Sequence, residues 1–244
     1  MNQKESDIAV LNFDDSHVKP LAQKINAETF YFSTKTCMEK GAYDNGAFHF
    51  CRGGGEKITF SVKDVLLKGT HNRENMLAAA SVGFLCKLPE EKIRRALLTF
   101  AGLPHRMEFV DEVGSINFFN DSKGTNVGAC IKSLESLNPP IILIAGGKDK
   151  GGSYLPLKNL IKKKVKALIL LGEAKKRMEK ELGSAVPTVT TDSLEEAVKE
   201  AHSKAEKGDL ILFSPACSSF DMFKNYEHRG ECFKELVRGL KANS

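Results

Sequence analysis

The sequence predicts an α/β protein whose larger part is a doubly wound parallel sheet. From residue 104 onward, short β-rich runs alternate with stretches of helical apolar period, and Gly, Pro or Ser stand at the joints. The last of these runs are apolar throughout, which is typical of strands that helices cover on both faces. With 244 residues, the chain is long enough for two domains, and we expect them to comprise residues 1–102 and 103–244.

The second part contains five predicted strands separated by stretches of helical period. Helices are expected near residues 127–134, 157–165, 194–201 and 232–240, where apolar side chains recur every three to four positions. Ser193 and Glu196 form a capping-box pattern, which predicts a helix start at that point. The strands are predicted at 116–120, 141–145, 167–171, 186–190 and 210–213.

The first part is less regular. A helix is predicted over residues 74–87, and a second follows Pro89 and two acidic residues. Because this α/β unit opens directly on an apolar strand, we expect it to be the second half of a larger domain. Its strands are predicted at 8–12, 30–33, 47–51 and 57–62.

Composition and charge exclude several classes of protein. A content of 41% apolar residues indicates a folded globular chain, and its apolar runs fall far short of the ~20 residues that span a bilayer. The amino terminus has no signal-peptide pattern, so we expect a cytoplasmic protein. The six cysteines form no C-x-x-C pair, which argues against zinc and disulfides. The net charge of +5 is spread over both parts, which argues against a nucleic-acid partner.

Four polar loops are candidate sites, because ligands of open α/β sheets bind beyond the carboxyl ends of the strands. Residues 120–126 are dense in hydrogen-bonding groups, and residues 146–152 combine glycines with lysines, which suits an anion. Residues 214–221 offer hydroxyls and backbone amides at an expected helix start. Residues 69–75 precede the first long helix and contain two asparagines one turn apart.

Each loop also has a plainer interpretation. Asp121 or Ser122 could be only a helix cap, and the glycine loop could be an ordinary surface loop. Cys217 has no histidine near it in sequence and is expected to be buried packing rather than a nucleophile. Arg106, next to the expected domain boundary, could bind a phosphate or pair with an acidic neighbour. The sequence contains no G-x-x-x-x-G-K-[ST] phosphate loop.

Six motifs in a fixed order carry a resemblance to a known family. Together they resemble the Mur ligases of peptidoglycan synthesis, most closely the branch that adds D-glutamate, over essentially the whole chain. The motifs are V-L-N-F-D-D at 10–15, G-T-H-N-R-E-N at 69–75, G-L-P-H-R-M-E at 102–108, N-D-S-K-G-T-N at 120–126, G-G-K-D-K-G at 146–151 and S-P-A-C-S-S-F-D-M-F-K-N-Y-E-H-R-G at 214–230.

The resemblance implies that residues 1–102 are the C-terminal part of a central ATP-binding domain. Residues 103–244 would then be a C-terminal Rossmann-like domain that binds the incoming amino acid. It implies ATP and Mg²⁺ as cofactors, with the metal ligands in an N-terminal part outside this sequence, and D-glutamate and UDP-N-acetylmuramoyl-L-alanine as partners of a monomeric ligase. The amine of D-glutamate would attack an acyl phosphate. Because the phosphate loop is missing from the sequence, the chain alone is expected to be inactive.

The resemblance also implies roles for individual residues at matching positions. Those expected to contact ATP are Asn72 and Asn75 at the adenine, Asp121 at the ribose and Arg106 at the phosphates. Those expected to bind D-glutamate are Thr125, Lys150, Ser219 and Tyr226, with Lys148 as an alternative to Lys150. Lys123 and Arg106 are the expected catalytic residues. Two other interpretations stay open: another amino-acid-adding ligase similar to folylpolyglutamate synthase, against which the S-P-A-C-S-S string argues, and a non-catalytic ligand-binding remnant.

Overall fold

The computed structural model describes residues 3–53, 56–67, 69–138 and 140–242. It divides into two compact units, Met1–Ala101 and Gly102–Ser244. Each unit contains one β-sheet with helices, and both sheets are rich in parallel pairs, so the predicted α/β class is confirmed. Within the described part of the chain, no helix is long and apolar enough to cross a membrane.

The first unit is a five-stranded sheet in the order β1-β2-β3-β4-β5 with two helices. The pairs β1–β2 and β2–β3 are parallel, whereas β3–β4 and β4–β5 are antiparallel hairpins. The strands are β1 (Ile8–Asn12), β2 (Glu28–Ser33), β3 (Gly41–Asp44), β4 (Ala47–Gly53) and β5 (Glu56–Ser61), and the helices are α1 (Thr70–Leu85) and α2 (Glu90–Thr99).

An aromatic cluster forms the core of this unit. Phe50 of β4 contacts Phe60 of β5 and Phe84 of α1, with ring centroids 5.6 Å apart in both pairs. The sequence did not predict β3, because its residues Gly-Ala-Tyr-Asp have little intrinsic preference for strands. Gly41 is required there, since its φ is +133° and a Cβ would lie 2.6 Å from the Tyr31 carbonyl oxygen.

The second unit is a six-stranded sheet in the order β10-β9-β8-β11-β7-β6. All neighbouring strands are parallel except β6 and β7. The strands are β6 (Glu108–Val113), β7 (Ile116–Asn120), β8 (Ile141–Gly146), β9 (Val165–Leu171), β10 (Thr188–Thr190) and β11 (Leu210–Phe213). The helices are α3 (Val127–Ser136), α4 (Lys158–Lys164), α5 (Lys175–Leu182), α6 (Leu194–Lys204) and α7 (Tyr226–Ala242).

Apolar side chains cover both faces of this sheet, as a doubly wound fold requires. On one face, Leu143 and Leu168 pack with side chains of α3, α4 and α5. On the other face, Ile144 and Ile169 pack with side chains of α6 and α7. These alternate residues of β8 and β9 therefore separate two cores, which explains why the strands are apolar throughout.

Some elements of the second unit differ from the sequence prediction. Strand β6 was not predicted, because its sequence Glu-Phe-Val-Asp-Glu-Val is acidic. The strand lies at the edge of the sheet, where charged residues are tolerated. Helix α5 was also missed, since its eight residues are mostly charged and bury only Met178 and Leu182. The predicted helix start at residue 193 is confirmed: the Ser193 hydroxyl accepts a hydrogen bond from the Glu196 amide at 3.1 Å.

Candidate functional site

Three loops of the second unit meet beyond the carboxyl ends of β7, β8 and β11. The Lys150 ammonium donates a hydrogen bond to the Thr125 carbonyl oxygen at 2.9 Å, which joins the loops after β8 and β7. The Lys148 amide donates to the Ser218 carbonyl oxygen at 2.9 Å, which joins the loops after β8 and β11. We call residues 120–126, 146–153 and 214–221 the strand-end site.

The loop after β7 is built around the buried carboxylate of Asp121. This side chain is 6% exposed, and its Oδ2 accepts hydrogen bonds from Ser133 at 2.6 Å and Ser214 at 2.7 Å. Burial raises the pKa of Asp121, and the two hydroxyls oppose that rise. Gly124 leaves room for this arrangement, because a Cβ there would lie 2.4 Å from Asp121 Oδ2. Asp121 therefore ties β7 to β11 and α3, a structural role that the sequence had not indicated.

The cap of α3 is not one of the two residues considered from the sequence. Asn126, rather than Asp121 or Ser122, accepts the hydrogen bond from the Ala129 amide at 2.9 Å. Asn126 directly precedes the helix and has extended backbone angles, as capping requires, whereas Asp121 and Ser122 lie one turn too early and are buried. Neither Asp121 nor Ser122 therefore caps α3.

Arg229 of α7 connects the loop after β7 with the loop after β11. It is 1% exposed, and its guanidinium donates to Ser122 Oγ at 3.0 Å and to the carbonyl oxygens of Ser122, Ser218 and Cys217 at 2.8 to 3.2 Å. Burial lowers the pKa of Arg229 to about 10. Its burial was not predictable from the sequence, because an arginine next to a histidine on an amphipathic helix gives no sign of full burial.

A cationic corner lies beside this network. The Lys123 ammonium is 4.0 Å from the centre of the Tyr226 ring, and the Lys123 amide donates to the His105 carbonyl oxygen at 3.0 Å. Arg106 is exposed, and its charge lowers the pKa values of both Asp121 and Tyr226, although other causes raise them more. Arg106, Lys123 and Tyr226 therefore lie near one another, and their predicted roles stay predictions.

The glycine loop presents its two lysines differently. Lys148 is paired with Glu173 at 2.6 Å, and this hydrogen bond raises the pKa of Lys148. Lys150 is exposed and donates to a neutral carbonyl oxygen, that of Thr125. Because a carboxylate ligand would have to displace Glu173 from Lys148, the geometry favours Lys150 as the residue available to an incoming anion.

The loop after β11 does not lead directly into a helix, contrary to the sequence expectation. Ser219 lies in a turn, and α7 begins only at Tyr226. The reason is the positive φ of Ala216, +56°, and the contacts of the Ser218 carbonyl oxygen with Lys148 and Arg229, which hold this segment in an irregular path. Ser219 is 2% exposed.

In the first unit, Asn72 and Asn75 both lie on the opening turns of α1. Asn75 is exposed and Asn72 is half-buried. Between them, Arg73 forms an ion pair with Asp44 at the end of β3, and this pair anchors the start of the helix to the sheet. The predicted nucleotide contacts of the two asparagines stay predictions.

A metal centre is not formed by the part of the chain that the structure describes. No group of three or more His, Cys, Asp or Glu side chains there could hold a metal ion. The sequence resemblance implies Mg²⁺ ligands in an N-terminal part outside this sequence, and that expectation stays a prediction.

Comparisons with known proteins show what the chain is similar to. A family model described as Mur ligase, glutamate ligase domain, matches residues 105–217, which include two of the three loops and part of the third. Over essentially its whole length the chain is similar to Mur ligases. Two curated relatives, both named UDP-N-acetylmuramoylalanine--D-glutamate ligase, come from Geotalea uraniireducens, with 51% identity over 240 residues, and Geotalea daltonii, with 48% over 239 residues.

Each of these alignments covers 98% of this chain and 53% of the relative, so the chain spans about half the length of the curated relatives it matches. Two solved structures share the fold. A pseudomurein peptide ligase type C from Methanothermus fervidus aligns with a TM-score of 0.70, 18% identity and coverage of 95% of this chain and 56% of that chain. The MurF ligase from Thermotoga maritima in complex with ADP aligns with a TM-score of 0.69, 17% identity and coverage of 99% and 56%.

Proposed function

We propose that this chain is part of an ATP-dependent ligase that adds D-glutamate to UDP-N-acetylmuramoyl-L-alanine, and that the strand-end site binds D-glutamate. The observation that carries the proposal is that three loops meet at one edge of the sheet. Their exposed cation, Lys150, donates a hydrogen bond to the Thr125 carbonyl oxygen. The names of the curated relatives support the choice of amino acid and of the nucleotide-linked acceptor.

The chemistry of such a ligation explains the charge at this edge of the sheet. An acyl phosphate and the two carboxylates of D-glutamate must approach each other, so the site has to offset repulsion between anions. In this proposal Lys150, Thr125, Ser219 and Tyr226 hold the carboxylates of D-glutamate. Lys123 stands close to the reacting groups and stabilises negative charge that develops on the acyl phosphate during attack by the amine.

The nucleotide part of the proposal concerns four residues. Asn72 and Asn75 would contact adenine through the paired donor and acceptor of an amide. Asp121 would contact the ribose, and Arg106 the phosphates. ATP supplies the phosphoryl group that activates the acceptor carboxylate. Because the sequence contains no G-x-x-x-x-G-K-[ST] motif, we expect the 244-residue chain to bind ligands without completing the reaction.

Calorimetric titration of the chain with D-glutamate tests the proposal. We expect saturable binding that Lys150→Ala weakens by about tenfold to a hundredfold, since a charged hydrogen bond contributes about 1.5–3 kcal/mol. Lys162→Ala is the matched control, because Lys162 lies in the last turn of α4 near the amino end of β9, at the opposite edge of the sheet. The proposal fails if Lys150→Ala and Lys162→Ala bind equally well, or if L-glutamate binds as tightly as D-glutamate.

A further inference from the structure

The loop that carries Lys150 has little packing of its own. Gly151 has a φ of +78°, and a Cβ at Gly151 or Gly152 would meet no atom within 4 Å. Lys150 itself is exposed. A loop of this composition adopts many backbone conformations unless other groups hold it, so its geometry depends on contacts from neighbouring elements.

Arg177 of α5 supplies those contacts on both sides of Lys150. On the amino side, its Nη1 donates to the two carboxylate oxygens of Asp149 at 3.1 and 3.0 Å. On the carboxyl side, its Nη2 donates to the carbonyl oxygens of Gly151 at 3.2 Å and Gly152 at 2.5 Å. One planar guanidinium thus binds the residue before Lys150 and the two residues after it.

The guanidinium is itself held in place by two further side chains. Its Nε donates to Glu181, one turn along α5, at 3.2 Å, and its carbon lies 5.4 Å from the centre of the Tyr154 ring. Glu181 accepts the Tyr154 amide at 2.7 Å, and the Tyr154 hydroxyl is 3.1 Å from Asp149. Tyr154 is 3% exposed, so these contacts connect the loop to the hydrophobic core.

The contact with Asp149 also has an electrostatic consequence. Asp149 is the sequence neighbour of Lys150, so its carboxylate, once released, is a competitor for that ammonium group. Bidentate pairing with Arg177 occupies both of its oxygens. Loss of Arg177 would release that carboxylate next to the cation that an anionic substrate needs.

We propose that Arg177 is a positioning residue for amino-acid recognition: it fixes the backbone on both sides of Lys150 and keeps Asp149 from pairing with that lysine. This inference rests on the proposed function, in which Lys150 binds a carboxylate of D-glutamate. Arg177 itself touches no substrate in this arrangement.

The test uses the complete ligase that contains this chain, in four forms: unchanged, Arg177→Met, Lys150→Ala and the double variant. We expect Arg177→Met to raise the KM for D-glutamate about tenfold while the KM for ATP stays within twofold, a split that general loss of stability would not produce. In the Lys150→Ala background, Arg177→Met should have little further effect, because both changes remove the same interaction. Arg177→Lys should give an intermediate KM, since an ammonium cannot reach Asp149 and both carbonyl oxygens together.

Lys176→Met is the matched control, because it removes a positive charge from an exposed position of the same helix. Hydrogen exchange on the 244-residue chain gives a second measurement that needs no substrate. Arg177→Met should speed exchange at the amides of Gly151 and Tyr154, which the cluster protects, and leave the amides of β8 unchanged.

The outcomes separate the two proposals. If Lys150→Ala raises the KM for D-glutamate but Arg177→Met does not, or if their effects multiply in the double variant, Arg177 does not act through Lys150 and the inference is overturned. If neither variant changes that KM, the proposed substrate assignment fails and the inference fails with it. Unchanged exchange at Gly151 and Tyr154 in Arg177→Met would overturn the inference without affecting the proposed function.

Discussion

Replacement of Arg229 by methionine removes the buried cation that connects the loops after β7 and β11. Four hydrogen bonds are lost: one to Ser122 Oγ and three to the carbonyl oxygens of Ser122, Ser218 and Cys217. Methionine fills much of the same volume but offers no donor, so the carbonyl oxygens of Ser122 and Cys217 lose this buried donor, whereas that of Ser218 keeps the Lys148 amide. We expect the second unit to be destabilised.

The expected fall in the free energy of unfolding follows from two opposing effects. Four charge-assisted hydrogen bonds, at the lower end of their usual range, contribute about 6 kcal/mol. Burial of the cation, which lowers the pKa of Arg229 to about 10, offsets part of this contribution. The free energy of unfolding should therefore fall by about 3 kcal/mol, within the range for removing one partner of a buried charged network.

Urea unfolding followed by circular dichroism measures this change. With a denaturant dependence of about 2 kcal/mol per molar, the midpoint should fall by about 1.5 M. Arg238→Met is the control, because Arg238 is exposed on the same helix and should change the free energy of unfolding by less than about 0.5 kcal/mol. Equal midpoints for Arg229→Met and Arg238→Met would refute the assignment of Arg229 as the connection between the loops.

Three further predictions follow from other contacts. Gly124→Ala should lower the free energy of unfolding by about 2 kcal/mol in the same urea assay, because its Cβ would displace Asp121 from Ser214; an unchanged midpoint would contradict this. The hydrogen bond from the Gly151 amide is the main cause that lowers the pKa of Asp149 below 3.8, so the folded state should lose stability as the pH falls from about 5 through that value. Asp149→Asn should make this pH dependence shallower, whereas Asp64→Asn, at an exposed site, serves as the control. Finally, phosphate release by the 244-residue chain with MgATP, D-glutamate and UDP-N-acetylmuramoyl-L-alanine should stay at background, and robust turnover would contradict the expected need for a phosphate loop.

The local sequence pattern was sufficient to predict the elements that carry most of the apolar surface. Strands β7 and β11 have the predicted bounds, because a continuous apolar run between turn residues leaves little choice of structure or burial. The start of α6 at Ser193 was also predictable, since a capping side chain acts on amides only two or three residues away. The three loops of the strand-end site were predictable as polar segments that directly follow apolar strands.

Elements with weak local preference depended on their neighbours. Strand β3 and helix α5 have sequences that could remain irregular in isolation, and they form because adjacent strands or the core stabilise them. For the same reason the alternative interpretation, in which Asp121 or Ser122 caps α3, is wrong. Asp121 has a suitable side chain for capping, but burial against Ser133 and Ser214 is possible only once β11 and α3 are in place.

The α/β class, the order of most strands and helices, and the loops that carry charged and hydroxyl groups are readable from the sequence, because these properties depend on residues within a few positions of one another. Two features of the site are visible only in the folded protein. Lys148, and not Lys150, is already paired with a carboxylate, and Arg177 and Arg229 support the loops. Arg229 and its partner Ser122 are 107 positions apart, and Arg177 reaches Gly151 across 26 positions. Contacts over such separations arise from the packing of a parallel sheet, which brings distant strand ends to one edge. They produce no periodic pattern in the sequence from which they could be predicted.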